Sequence, residues 1–247
     1  GVDAVEEFPC AHHPVDHLYS IPLRALFARN VGNLFLAGRD ISASHIAHSS
    51  TRVMATCAVV GQAAGTAAAV ALKHGIGQAR DLVEAPFIEE IQQTLLRDGA
   101  HLIGLANADP LDKARSARVH ASDERTDGRA QQVVNGLTRV TSPSLHPCLA
   151  EASNRWTSQS LPAWVELRWE QPQTISAVQI TFDTGFQREL TLTMSDPYSA
   201  KMVRGPQPET IRHYRLELGH EQGILQTLHV RDNYQGRRVH RLSEPAM

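Results

Sequence analysis

The sequence predicts an α/β segment over residues 1–107 followed by an all-β jelly-roll sandwich over residues 108–247. Three observations carry this. Asn33-Leu34-Phe35-Leu36-Ala37-Gly38 is a compact apolar run ending at glycine, the pattern of a strand buried on both faces of a parallel sheet. A long stretch rich in Ala and Gly follows from Val53 and ends at His74-Gly75, as a helix does. Beyond residue 108 the apolar period changes to two: Val178, Ile180 and Phe182, then Leu190, Leu192 and Met194, then Tyr214, Leu216 and Leu218.

Each element follows from its residues. The loop Arg39–Arg52 leaves the predicted strand, and Ser49, Ser50 and Thr51 are N-cap candidates for a helix from Val53 to about Lys73. Between Asp81 and Gly99 an amphipathic helix is expected, with Pro86 in its first turn and Phe87, Ile88, Ile91 and Leu95 on one face. Asn107–Asp127 is polar and mixed in order, so it reads as a linker and places the domain boundary near residue 108. Turn residues at Pro172, Asp183-Thr184-Gly185 and Gly205-Pro206 punctuate the later strands, as in an antiparallel sandwich.

Composition narrows the function classes. With 42% hydrophobic and 20% charged residues the chain of 247 is an ordinary globular sequence, and a net charge of −2 gives no long-range pull toward nucleic acid or an anionic membrane. Cys10, Cys57 and Cys148 are far apart and form no CxxC, so they are read as isolated thiols with no metal site. Val53–Leu72 carries no formal charge over 20 residues, yet Ala, Gly, Thr56, Gln62 and Thr66 make its transfer to lipid weakly driven, and no membrane span is expected. The opening Gly1-Val2-Asp3-Ala4 has no initiator Met and no secretory signal. It reads as cut from something longer, so an amino-terminal part of the same polypeptide is expected as a missing partner.

Within the long helix, Cys57, Gly61, Gly65 and Ala69 recur every fourth residue and share one face. Such a stripe admits close approach of a backbone or ligand, or simple tight helix–sheet packing. The string Tyr19-Ser-Ile-Pro-Leu-Arg24, Asn33-Leu-Phe-Leu-Ala-Gly-Arg-Asp40-Ile-Ser-Ala-Ser-His45 and Ser50-Thr-Arg-Val-Met-Ala-Thr-Cys-Ala-Val-Val-Gly61-Gln-Ala-Ala-Gly65 closely resembles the carboxyl-terminal signature of a bacterial family of FAD-dependent oxidoreductases related to the flavin subunit of heterodisulfide reductase. The resemblance implies a fragment of an FAD/NAD(P)-binding fold with FAD as cofactor. It places Gly38, Arg39 and Asp40 toward the ribityl chain, and Arg52, Val53 and Met54 at a helix N-terminus aimed at the flavin pyrimidine edge, where positive dipole and free N–H groups favour negative charge. Gly61, on the small-residue face of that helix, is likewise expected to bind the cofactor. Asp40 is either an acceptor for ribityl hydroxyls or a loop-capping carboxylate. His45 is either an acid, base or substrate-orienting group near the flavin or a solvated loop residue, and Arg24 either clamps an anionic or polyhydroxylated substrate or forms a structural ion pair. The GxGxxG turn that holds the ADP half of FAD is absent from this sequence.

The second region, with Val134-Asn135-Gly136, Asn154-Arg-Trp156, Trp164 to Trp169 and Ile175 to Asp183, resembles the discoidin-like, galactose-binding-like sandwich. That resemblance implies a rim that binds glycan or a structural appendage; Asn135 and Asp183 alone do not make a calcium site. Two functions compete: an FAD-dependent oxidoreductase acting on a small-molecule or carbohydrate-derived substrate, and a non-catalytic glycan-binding or interaction module.

Overall fold

The computed structural model describes residues 2–3, 11–12, 16–185, 194–220 and 222–246. The chain divides into two compact units, residues 1–168 and 169–247.

The first unit is organised by two long helices. After a short antiparallel pair, β1 (Val2–Asp3) and β2 (Ala11–His12), come α1 (His45–Thr51), α2 (Met54–His74) and α3 (Phe87–Arg97). Ala supplies much of α2 at little entropic cost. At its end Gly75 takes the left-handed conformation (φ 66°), and the Gly75 and Ile76 amides donate back to Leu72 and Ala71. Ala67, Val70 and Ala71 of α2 then meet Ile91 and Leu95 of α3 across Leu82, which lies in a 3-10 turn (Ala79–Val83) between the helices. Glu90 on α3 accepts from Lys73 Nζ and pairs with His74 Nε2, both at 2.7 Å, and these hydrogen bonds hold its carboxyl below the usual carboxylate value. Among the described residues α2 is the one helix long and apolar enough to cross a membrane, and one side of it is buried in this core.

Residues 108–168 fall within the first of these compact units. The Asn107 amide donates to the Gly136 carbonyl at 2.8 Å and the Ala108 amide to Gln93 Oε1 at 2.7 Å. The stretch expected as a linker contains a 3-10 turn (Lys113–Ser116) and β3 (Arg118–Ala121), which pairs antiparallel with β4 (Val165–Arg168). Trp156 is held by its indole, which donates to the Asp123 carbonyl at 2.8 Å.

The second unit contains β5 (Ile175–Thr181), α4 (Asp196–Ser199), β6 (Tyr214–His220), β7 (Gly223–Val230) and β8 (Arg237–Ala246). The strands form two antiparallel pairs, β5 with β8 and β6 with β7. Tyr214 joins the pairs: its ring lies 5.0 Å from that of Phe182 and its hydroxyl bonds His240 Nε2 at 2.8 Å. Burial raises the Tyr214 hydroxyl and lowers His240, so the neutral pair is the stable one here. Period two at Val178 and at Tyr214 did mark strands. The sheets among the described residues are two-stranded, however, and a jelly-roll sandwich does not emerge from them. Leu190 and Leu192 lie outside the described residues, and Met194 is fully exposed.

Three further expectations need correction. Asn33–Gly38 is not a strand of a parallel sheet: it contributes one antiparallel bridge, Phe27 opposite Phe35, and Leu34 is 44% exposed. The segment read as a loop before α2 holds α1, so Ser49, Ser50 and Thr51 are helical and Val53 becomes the α2 N-cap. Gly61 and Gly65 do not face a sheet. Apart from the backbone of α2 itself, a Cβ at either would have no atom within 4 Å, and both line an open groove of about 760 Å³ bounded by α2, α3 and residues 108–111.

That geometry has a measurable consequence. Helical glycine costs about 1 kcal/mol relative to alanine, and nothing opposes the added methyl at these two positions. Gly61→Ala and Gly65→Ala are each expected to stabilise the protein by roughly 0.5–1 kcal/mol in urea denaturation. A loss of stability in both would mean that the stripe is covered.

Candidate flavin-binding site

A small core assembles the candidate residues. Ala25 and Leu26, in a 3-10 turn (Leu23–Leu26), pack with Ile41 and with Val60 of α2, flanked by Ile21, Leu23 and Ala63. The Leu36 amide donates to the Leu26 carbonyl and the Ser42 amide to the Ala25 carbonyl, both at 2.8 Å. The chain from Leu36 to Ser42 is therefore fastened at each end to the Leu23–Leu26 turn, and Ile41 pins it from below. Gly38 stands at the apex with φ 89°, a conformation that disfavours a side chain, and Asp40 Oδ1 lies 4.0 Å from where a Gly38 Cβ would be.

Helix α1 begins beyond this turn. Ser44 caps it by accepting the Ala47 amide at 3.3 Å, and His45 occupies its first, exposed position. Ser50 near its end bonds the Tyr19 hydroxyl at 2.6 Å, tying α1 to the segment before the Leu23–Leu26 turn. Arg52 is the α1 C-cap, and Cys57 Sγ reaches back to the Thr51 carbonyl at 3.7 Å across the α1–α2 junction. The junction thus presents Arg52, Val53 (53% exposed) and Met54 (90% exposed) at the α2 N-terminus.

Two features make this end chemically available. Val53 carries no side-chain acceptor, so the amides of the first turn of α2 keep their donor capacity. Arg24, Arg39, Asp40, His45 and Arg52 are exposed, and among the described residues they make no side-chain hydrogen bond or ion pair. An uncapped amino end beside an unpaired guanidinium suits an anionic ring edge or phosphate, and an unpaired carboxylate at a glycine turn suits a hydroxylated chain.

Residues 3–95 match the family model of FAD dependent oxidoreductases. The cofactor that this family implies is FAD, and the activity is that of an oxidoreductase. The matched segment runs from β1 into α3 and contains every candidate site residue. No curated protein and no solved structure matches the chain.

The residues present fit the flavin end of FAD in chemical kind, because the uncapped α2 terminus and the unpaired Arg52 and Asp40 offer the donors and the acceptor that such a group takes. Gly61 is not brought to this site: it lies nearly two turns along α2, in the open groove. Ile41 and Tyr19 were not singled out in advance, yet they hold the site together. Ile41 is the one large aliphatic side chain in the small and polar run Gly38–Ser44, and that isolation was the available signal.

Proposed function

We propose that residues 3–95 form the flavin-contacting part of an FAD-dependent oxidoreductase of the kind related to the flavin subunit of heterodisulfide reductase, acting on a small-molecule substrate. The observation that carries this reading is the uncapped α2 N-terminus beside unpaired Arg52. Bound FAD supplies hydride transfer; the protein supplies position and field. Arg52 and the first amides of α2 stabilise negative charge at the pyrimidine edge. Asp40 accepts from ribityl hydroxyls, with Gly38 and Arg39 shaping the turn. His45 holds or moves a proton at the substrate, and Arg24 orients an anionic or polyhydroxylated one, which favours carbohydrate-derived substrates. On its sequence resemblance alone, the region from about residue 108 onward is proposed as a galactose-binding-like appendage, a boundary distinct from that of the compact units.

The test is electrochemical. One exposed charge at a helix terminus is worth about 1 kcal/mol, or roughly 20 mV for a two-electron couple. Arg52→Ala in the FAD-loaded protein is expected to lower the flavin midpoint potential by about that amount. An unchanged potential with FAD still bound counts against Arg52 at the pyrimidine edge.

A further inference from the structure

Outside the segment matched to the flavoprotein family, a closed loop presents a cysteine and a histidine together. Thr141 and Ala152 exchange amide hydrogen bonds at 2.9 and 3.0 Å, and the Thr141 hydroxyl donates to the Ala150 carbonyl at 2.8 Å. Thr141 and Leu149 are buried and anchor the loop. The Leu18 amide donates to the Leu145 carbonyl at 2.8 Å and the Leu149 amide to the His146 carbonyl at 2.9 Å. Pro147 fixes its own φ and restricts His146 before it. The backbone on both sides of His146-Pro147-Cys148 is therefore held.

Within this frame Cys148 Sγ lies 2.9 Å from His146 Nδ1, and the Cys148 amide donates to the same nitrogen at 3.3 Å. A ring nitrogen that accepts from an amide carries no proton, so the neutral ring keeps its proton on Nε2 and the single Nδ1 lone pair is shared between the Cys148 amide and the nearer thiol. The His17 ring stands edge-on to His146 at 6.5 Å, and its Nδ1 lies 3.3 Å from the Ser144 carbonyl. A thiol within 2.9 Å of a ring nitrogen is the arrangement of a nucleophile and its base. Cys148 is exposed, whereas Cys57 is half-buried and engaged with the Thr51 carbonyl.

We propose that Cys148, with His146 as its base, is a nucleophilic thiol site that takes small disulfides. His146 Nδ1 accepts the Sγ proton as the sulfur attacks one sulfur of the disulfide. A bond forms between Cys148 and that sulfur, the disulfide's own S–S bond breaks, and the leaving thiolate takes the proton from His146 and departs as a thiol. Cys148 is oxidised to a mixed disulfide and the other half of the reagent is reduced.

The test treats the full chain with dithiodipyridine, follows the released thiopyridone by absorbance, and assigns the modified cysteine by peptide mapping. Cys148 is expected to react about tenfold or more ahead of Cys57, a modest share of what a positioned base supplies. His146→Ala and His146→Gln are each expected to slow Cys148 about tenfold while Cys57 keeps its rate, which reports an intact fold. A Cys148 no faster than Cys57 in the unaltered protein, or one whose rate survives both substitutions, overturns the proposal.

Discussion

Ile41→Ala is expected to destabilise the first unit by about 2–4 kcal/mol and to weaken FAD uptake about tenfold. Ile41 is 6% exposed and packs on Ala25, Leu26 and Val60. Truncation removes apolar burial and leaves a cavity, and both terms act at one place. The second effect follows from position. Ile41 is the side-chain contact that pins the turn carrying Gly38, Arg39 and Asp40, and without it the Leu36–Leu26 and Ser42–Ala25 hydrogen bonds hold only the two ends of that turn. Ile41→Val retains most of the contact and is expected to cost about 1 kcal/mol with FAD uptake nearly unchanged. Urea denaturation and a flavin titration on the same samples separate the two effects. Unaltered stability in Ile41→Ala would show that this small core does not organise the site.

Leu82→Ala is expected to cost more, about 3–5 kcal/mol. Leu82 has no exposed surface and is surrounded by Ala67, Val70, Ala71, Ile91 and Leu95. Alanines on α2 cannot extend into the vacated space, and α3 is fixed by Glu90 to the end of α2, so collapse is restricted from both sides. Against a usual total of about 5–15 kcal/mol, such a loss is a large part of what holds α2 and α3 together. A cost below about 1 kcal/mol in chemical denaturation would contradict the assignment of this cluster as the principal core.

The same residues explain which parts of the structure were legible in the sequence. Helix α2 was, to within a residue at each end, because an uninterrupted Ala-rich run and a terminal glycine are local signals. The helix from Phe87 to Arg97 and the strands at Ile175 and Tyr214 were legible for the same reason. Pairing was not. Period two marks a strand but does not say which strand lies beside it, so two separate antiparallel pairs could not be told from a sandwich. The apolar run at Leu34 could equally be a buried strand or a single bridge, because burial depends on partners from distant sequence. Helix α1 was missed because His45-Ile-Ala-His-Ser-Ser-Thr51 has weak helical propensity, and the capping by Ser44 together with the Tyr19–Ser50 bond supports it. The open Gly61 and Gly65 face shows the limit of spacing arguments: small residues permit close approach without supplying what approaches.

The central claim is that FAD meets this chain at the α2 N-terminus, and amide chemical-shift mapping during an FAD titration tests it most directly. The largest perturbations are expected at the amides of Met54, Ala55 and Thr56 and in the Gly38–Asp40 turn, with those at α2 diminished in Arg52→Ala. FAD binding that leaves these amides unmoved, or perturbations confined to the groove around Gly65, would contradict it.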